Sequence, residues 1–561
     1  MRLDSGDAVS PSLLAPRDRL VVATETSARM RLLALLPGLM MGAWSIWSFS
    51  YDFAGIRQFG LADDAFISMG YAKTLAESGE LVWFPGAERV EGFTNPLQTL
   101  VMTVPHLLFG GGQAPVLFIS LFGLACVLGT AYLAGGLAIS LADSRILAVA
   151  ATVTVSLLPA LLAWSLLGLE VGLLSLLVMG ALSLALRARR LLYSTRSLAL
   201  LGLVLGVGML VRLDFAVAGA VIAIWIALDR SESMASLRVR LLLTLGPLLV
   251  AGAGISLVRY WYYGSWLPNT YDLKMGGTSV SLRVGRFLET PAVPVSLTIM
   301  LIVGGWVLHR YGKEAKGPLF LLVLTGLTQI LYVAYVGGDA FAPDRFLAPA
   351  AVLATIVGLA GVAVALRRSW VVLTGALTGL AIAVLLLTSA APTFSYRWWD
   401  SQITASDVLS VEYSKAVALR DATLQGATIA VFTAGYPGYF SERRLVDMLG
   451  KSDAMIANGP RRDVPYLPGH DKFDYVRSIV EQRPDLVASD IPVVDQGLLF
   501  PANSEERRAV ASLYDRLCLS RADDDPVGFA VLVRRDSRLV DRSLLHECAT
   551  AIASDPPARA R

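Results

Sequence analysis

The chain has few of the residues that build metal centres, disulfide scaffolds and nucleic-acid grooves. Four histidines and three cysteines in 561 residues make a protein-ligated zinc site a poor expectation. A formal net charge of +3, with no Lys/Arg-dense stripe alternating with aromatics, excludes nucleic acid as a partner. Charged residues make up only 17% of the chain, and no long repeat or low-complexity segment interrupts it. What the chain has in quantity is hydrocarbon. It is 55% hydrophobic, and its mean hydropathy of +0.59 is outside the range of a soluble globular protein. That combination reads as a polytopic α-helical membrane protein carrying one soluble portion.

Apolar runs of about 20 residues cross a hydrocarbon core of roughly 30 Å. On that scale spans are predicted near 32–51, 114–139, 145–163, 167–187, 197–212, 213–229, 241–258, 291–309, 318–336, 346–366 and 370–390. Residues 1–31 form a polar N-terminal tail. The run Leu32–Phe49 has no small-residue cleavage site after it and reads as an uncleaved anchor rather than a signal peptide. Basic residues fix the orientation. Arg17, Arg19, Arg29 and Arg31 mark the tail as cytoplasmic; Arg187, Arg189, Arg190 and Arg196, then Arg230, Arg238 and Arg240, then Arg310, Lys313 and Lys316, then Arg367 and Arg368 mark four cytoplasmic loops. About eleven spans then put the first loop, 52–113, the loops 259–290 and 337–345, and the tail 391–561 outside a plasma membrane. Thr99–Phe109 is apolar but short and contains Pro105, so it is expected to lie along the outer surface as a helix. The pair 197–212 and 213–229 is short and abuts at Arg212-Leu213-Asp214.

After Ala391 the composition changes. Short β-rich runs, Ala427–Thr433 and Gly528–Val533, alternate with helical stretches, Tyr413–Leu424 and Glu505–Leu517. The expectation is a soluble α/β domain of about 170 residues, enough to bury its own core. Cys518 and Cys548 both fall in it; they pair if the compartment is oxidising, or are two unrelated thiols. Cys126, inside an apolar span, reads as a packing residue.

Polar residues recur at the outer ends of the spans. Asp63-Asp64 follows the first span by one short loop, and Arg89, Glu91, Phe93 and Asn95 lie in the same outer loop, with Trp83 nearby. Adjacent carboxylates ahead of a helix could simply cap it. Glu170 at the start of another span, Arg212 and Asp214, the loop Trp266–Lys274 and the loop Gly337–Phe346 add acids, bases and amides on the same side. Each alone reads as an ion pair or an anchor, but charges that converge on one face of a membrane tend to line an aqueous cavity. Arginine and lysine there could hold the phosphate of a water-insoluble donor. A carboxylate could take the proton of an acceptor hydroxyl. With no Walker loop and no Rossmann glycine pattern, a cytosolic nucleotide-sugar site has no support.

At these residues the chain resembles the GT-C-type glycosyltransferases, polytopic enzymes that use polyprenyl-phosphate sugars. The shared motifs, in order, are Asp63-Asp64, Arg89-Val-Glu-Gly-Phe-Thr-Asn95, Gly168-Leu-Glu170, Pro268-Asn-Thr-Tyr271 and Gly337-Gly-Asp339 with Arg345-Phe346. Within that group it looks most like the branch of the terminal β-(1→2) arabinofuranosyltransferase, down to a Pro468-Gly-His-Asp-Lys472 element in the tail. The resemblance implies Asp63 and Asp64 as the catalytic acidic pair, one of them the general base, with Asp63 expected to carry the larger loss on substitution. It implies Arg89 and Glu91 as shapers of the same site, and Asn269, Lys274, Asp339 and Arg345 as contacts to donor phosphate or sugar. Asn95, Glu170 and Arg212 join the binding set, and His470 and Lys472 are expected to help hold an acceptor. The chain departs from the pattern at Met69-Gly70, where relatives carry an arginine, and at Gln98, where they carry a tryptophan.

The implied activity is an inverting transfer, of arabinofuranose by the branch, from a polyprenyl phosphate to a glycan, glycolipid or protein outside the membrane. A mannosyl-type hexosyltransferase acting on protein or lipid is the alternative, and a transporter or flippase a more distant one. A transporter would put its charges near the midplane in matched halves; here they cluster at one face. No metal ligand set is expected. A divalent cation on the acidic pair is conceivable, though two carboxylates make a weak site.

Overall fold

A computed structural model describes residues 28–312, 316–339, 345–367, 396–488, 505–520 and 528–548, with a few positions between 373 and 380. Backbone amides and carbonyls in a bilayer core must be satisfied within their own segment, so the apolar runs are helical. Among the described residues seven helices are long and apolar enough to cross a membrane: Ala28–Ser48, Gln113–Leu141, Val171–Arg190, Leu237–Tyr263, Ala292–Tyr311, Lys316–Val336 and Arg345–Ala365. Each matches an expected span. Their outer faces carry exposed apolar side chains; on Leu237–Tyr263 these include Leu242, Leu249, Val250, Leu257 and Trp261. Inner seams pack closely where glycine permits. Gly304 and Gly361 meet backbone to backbone, and a Cβ built on Gly361 would come 2.8 Å from the Gly304 Cα. The chain is a polytopic membrane protein.

The structure parts from the expected spans at one place. The segment expected as one span over 145–163 is two helices, Arg145–Ser156 and Pro159–Leu166, bent by 48°. Pro159 has no amide proton to continue the first helix and instead starts the second. The abutting pair is Thr195–Val211 and Phe215–Leu228, of 17 and 14 residues. At ~1.5 Å per residue these reach about 26 and 21 Å, short of the roughly 30 Å core. Their junction, Arg212–Asp214, lines a cavity described below. The expected span 370–390 falls almost wholly outside the described residues, as does most of the tail 1–31.

Pro96–Phe109 is a 14-residue helix with a one-sided apolar stripe of Leu100, Val104, Leu107, Leu108 and Phe109 exposed. That pattern suits a helix lying in an interface. Its buried side faces the C-terminal region, with the His106 ring nitrogen Nε2 2.9 Å from the Tyr439 hydroxyl.

The C-terminal region begins with the helix Tyr396–Asp421 and contains a six-stranded mixed sheet. Across the sheet the strands run Arg444–Asp447, Thr428–Val431, Leu486–Ala488, Phe529–Arg534, Tyr514–Leu519 and Leu545–His546. The first three are parallel and the remaining pairings antiparallel. Alternate residues such as Ile429, Val431 and Leu486 are buried beneath the Tyr396–Asp421 helix and beside Tyr71 and Trp83. The helix Gly435–Phe440 packs on the helix Asp63–Ser78: the Phe66 ring lies 4.6, 5.2 and 5.0 Å from the rings of Tyr436, Tyr439 and Phe440. Cys518 and Cys548 are joined as a disulfide, and Cys126 is buried and free.

Candidate active site

Both carboxylates of the acidic pair fall in the first turn of Asp63–Ser78. Successive helical residues diverge by about 100°, so the two point apart. Asp63 Oδ1 accepts the backbone amides of Gly435 and Tyr436 at 2.9 and 3.0 Å. It thereby caps the Gly435–Phe440 helix of the C-terminal region, not its own. Asp64 turns instead toward a cavity of about 200 Å³, keeping 23% of its side chain exposed.

Three segments distant in sequence bring cations to Asp64. Arg345 heads the Arg345–Ala365 helix; its Nη2 lies 3.0 Å from Asp64 Oδ2 and its Nε 2.8 Å from Asp339 Oδ2. Lys451 follows the strand Arg444–Asp447, and its Nζ lies 2.9 Å from Asp64 Oδ1. Lys274, on the short helix Asn269–Met275, lines the same cavity and, among the described residues, makes no ion pair. Burial alone would raise the Asp64 carboxyl, but Lys451, Arg345 and Lys274 outweigh it and hold Asp64 well below the usual carboxylate range. Burial, reinforced by Arg345, lowers Lys274 to about 8. Asp63, buried more completely than its charge is compensated, is raised.

Behind Arg345 runs a second polar chain. Ser68 donates to Asn95 Oδ1 at 3.0 Å, the Asn95 amide donates to Glu170 Oε2 at 2.8 Å, and Glu170 Oε1 meets Arg212 Nη1 at 2.5 Å. Arg212 also reaches Asp214 at 2.9 Å. Ser68, Asn95, Glu170 and Arg212 line a smaller polar chamber of about 50 Å³, with Asp64 also on its wall. The main cavity is mostly apolar apart from its charges, with Tyr271, Tyr332, Tyr335 and Phe346 on its wall. Its wall carries Arg212, Lys274, Arg345 and Lys451 against Asp64, Asp214 and Asp339, and Glu170 of the smaller chamber faces Arg212, so cations and carboxylates are equal in number across the two chambers. Lys274 is the one of these four that makes no ion pair among the described residues, and an anion is the ligand such an ammonium favours.

Of the residues expected from sequence, Asp64, Asn95, Glu170, Arg212, Lys274, Asp339, Arg345 and His470 are gathered around these two chambers. His470 is half-buried in the cavity wall, and its loss of solvent lowers the imidazole to about 4, so it faces the cavity as a neutral hydrogen-bonding group. The others are elsewhere. Arg89 is exposed and its guanidinium lies over the Tyr262 ring at 4.7 Å, a cation–π contact outside the cavity. Glu91 forms a buried two-pronged pair with Arg259 at 2.6 and 3.1 Å, which fixes the outer loop to the Leu237–Tyr263 helix. Asn269 donates to the carbonyls of Gly450 and Lys451, so it positions a loop and does not line the cavity. Lys472 donates to the carbonyls of Asp272 and Ala457 at 2.9 and 2.6 Å and ties two loops together.

Sequence reasoning missed Lys451, Arg259, Tyr332 and Tyr335. Lys451 had a local signal: an aspartate closing a strand, then Gly450-Lys451-Ser452 in a tight turn. Arg259 had none, since its partner is 168 residues away. Among the described residues no group of three or more His, Cys, Asp or Glu side chains is placed to hold a metal ion. The acidic pair does not fit one either, as Asp63 is occupied by amides and Asp64 by two cations.

Residues 401–530 match the profile of a domain of unknown function, DUF8728. No curated protein sequence matches the chain. Among solved structures, the apo oligosaccharyltransferase of Archaeoglobus fulgidus superposes with a TM-score of 0.52 at 12% identity, over 92% of this chain and 75% of that one. Oligosaccharyltransferase AglB of the same organism, in complex with an inhibitory peptide and a dolichol-phosphate, gives 0.50 at 12% identity over the same shares. ArnT from Cupriavidus metallidurans in the apo state gives 0.49 at 14% identity, over 91% of this chain and 98% of that one. At such identities the likeness is one of fold.

Proposed function

We propose that this chain is a membrane glycosyltransferase that moves a sugar from a polyprenyl phosphate to an acceptor outside the membrane, with residues 391–561 extracytoplasmic. The observation that carries the reading is Lys274: an ammonium without an ion-pair partner among the described residues, in a cavity with largely apolar walls, beside an ionised aspartate. A polyprenyl phosphate needs those features together, an anion site at the end of an apolar approach. That a protein of the same fold has been solved holding a dolichol-phosphate supports the same ligand class here.

In the proposed reaction the acceptor hydroxyl oxygen attacks the anomeric carbon as the bond from that carbon to the phosphate oxygen breaks. The electron pair of that bond leaves with the polyprenyl phosphate, whose growing charge Lys274 and Arg345 offset. Asp64 takes the hydroxyl proton. The oxygen enters from the side opposite the phosphate, so the configuration inverts. The sugar is arabinofuranose on the resemblance to the β-(1→2) arabinofuranosyltransferase branch, and the small polar chamber beside Asp64, with Ser68, Asn95 and Glu170 on its wall, offers hydrogen-bonding groups for its hydroxyls. His470, on the cavity wall and from the tail, is suited to meet the acceptor.

Purified full-length protein incubated with a panel of polyprenyl-phosphate pentoses and hexoses, and short glycoside acceptors, tests the reading. Transfer from the arabinofuranose donor with inversion is the expected result. Transfer from mannose alone would replace the sugar assignment, and no transfer from any donor would overturn the function.

A further inference from the structure

The cation nearest Asp64 comes from the far end of the chain, on a loop whose shape is enforced from several sides. The strand Arg444–Asp447 ends in an aspartate whose Oδ1 accepts the amides of Leu449 and Gly450 at 2.9 and 3.1 Å, and whose Oδ2 accepts that of Ser452 at 2.6 Å. Gly450 holds φ +76°, and a Cβ there would come 2.6 Å from Ile456, so glycine is required. From the membrane domain, Asn269 donates to the carbonyls of Gly450 and Lys451 at 2.8 and 2.9 Å, and the Tyr71 hydroxyl lies 3.2 Å from Ser452 Oγ. The loop leaves the carboxyl end of a parallel strand, the edge at which open α/β sheets present ligand-binding groups. Lys451 extends from this frame and lines both chambers.

We infer that Lys451 is a donor-phosphate ligand delivered by the C-terminal domain, and that an arriving phosphate draws it away from Asp64. The inference rests on the glycosyltransferase reading and adds a residue and an order of events to it. A phosphate oxygen and Asp64 Oδ1 compete for one ammonium group, held 2.9 Å from the carboxylate when no donor is bound. Asp64 is faced by Lys451 from the tail, Arg345 from a span end, Lys274 from an outer-loop helix, and Asp63 and His470 at longer range. Transfer of Lys451 to the phosphate removes the first of these cations and makes Asp64 a stronger proton acceptor. The base is therefore restrained until a donor occupies the cavity.

Binding of decaprenyl monophosphate to the full-length protein in detergent, without turnover, tests this. Lys451→Met should weaken binding by about 10- to 100-fold, the range of one charge-assisted hydrogen bond, while Lys451→Arg stays within a few-fold of wild type. Asp64→Asn should tighten binding, and that gain should shrink in the Lys451→Met background because the competing pair is already broken. In a transfer assay, Lys451→Met should move the acid limb of the pH profile to higher pH, which a merely structural role would not do. If Lys451→Met does not fold, Lys451→Gln takes its place. Wild-type binding that is equal in the folded Lys451→Met or Lys451→Gln variant, or weaker binding by Asp64→Asn, would overturn the inference alone. Failure of wild-type protein to bind the lipid would overturn the glycosyltransferase reading as well.

Discussion

Asp63 and Asp64 are chemically identical neighbours, and the start of a helix separates their tasks by turning them toward different partners. Asp64→Asn should lower kcat by about 10²–10⁴-fold, the usual range for losing a general base, with the protein still folded. Asp63→Asn keeps an oxygen for the amides of Gly435 and Tyr436 and should stay near wild-type rate, whereas Asp63→Ala should cost about 0.5–2 kcal/mol of stability, as lost caps do. Transfer assays and thermal unfolding on the three variants separate these outcomes, and they reverse the order expected from sequence. Lys274 gives a pH signature. Only its protonated form attracts phosphate, and its value of about 8 means that affinity is full below that pH and falls as pH rises through it. The dissociation constant for decaprenyl monophosphate, measured from pH 7 to 10, should rise toward tenfold per unit above about 8, and Lys274→Arg should flatten the curve. Most of the cavity was legible in the sequence because charged residues at the ends of apolar runs have few other places to go. Which way Asp63 turns, and that Lys451 reaches Asp64, depend on contacts 372 and 387 residues apart; the turn around Lys451 has a local pattern, but its partner does not.

At the scale of elements, apolar length sufficed to find the long spans, since hydrocarbon allows a chain little besides helix. A single residue overrode it at Pro159, which breaks one run into two helices, while the short pair meeting Arg212 is found within two residues of its expected bounds. The way helices pair was not readable from hydropathy at all, because lipid and helix interior are equally apolar and contact is decided by small residues. The crossing of Ala292–Tyr311 with Arg345–Ala365 rests on Gly304 against Gly361. Gly361→Leu should destabilise the protein by about 1–3 kcal/mol or more through overpacking, read as a lower melting temperature in detergent, with Gly254→Leu, where a Cβ meets open space, as the mild control. The outer loop depends on a different bond. Glu91 and Arg259 are both buried, and burial pushes the Glu91 carboxyl up even as Arg259 pulls it down. Glu91→Ala leaves a buried guanidinium unpaired and should cost about 3–5 kcal/mol. If the melting temperature barely moves, the pair is not what anchors the loop.

For the molecule as a whole, the disulfide and the basic loops make one statement about sidedness. On the proposed topology Cys518–Cys548 lies in an oxidising compartment and the arginine-rich loops lie in the cytoplasm, the placement that disulfide chemistry and the positive-inside rule each favour. A single cysteine introduced at Asp536, whose side chain is 82% exposed, should react with a membrane-impermeant thiol reagent on intact cells. Protection until lysis would invert the topology and remove the proposed reaction from the outer face. The α/β character of the tail was legible from its alternating runs, but its mixed strand order was not, since pairing between strands far apart in sequence leaves no trace in composition. The cap that Asp63 places on the Gly435–Phe440 helix carries a consequence for anyone who would retarget such a protein. The upper region cannot be exchanged like a tool head. A transplanted tail must bring a helix whose first amides land on Asp63 and a lysine whose ammonium lands on Asp64, and it must do both at once, because adjacent residues of one rigid helix set the two docking points.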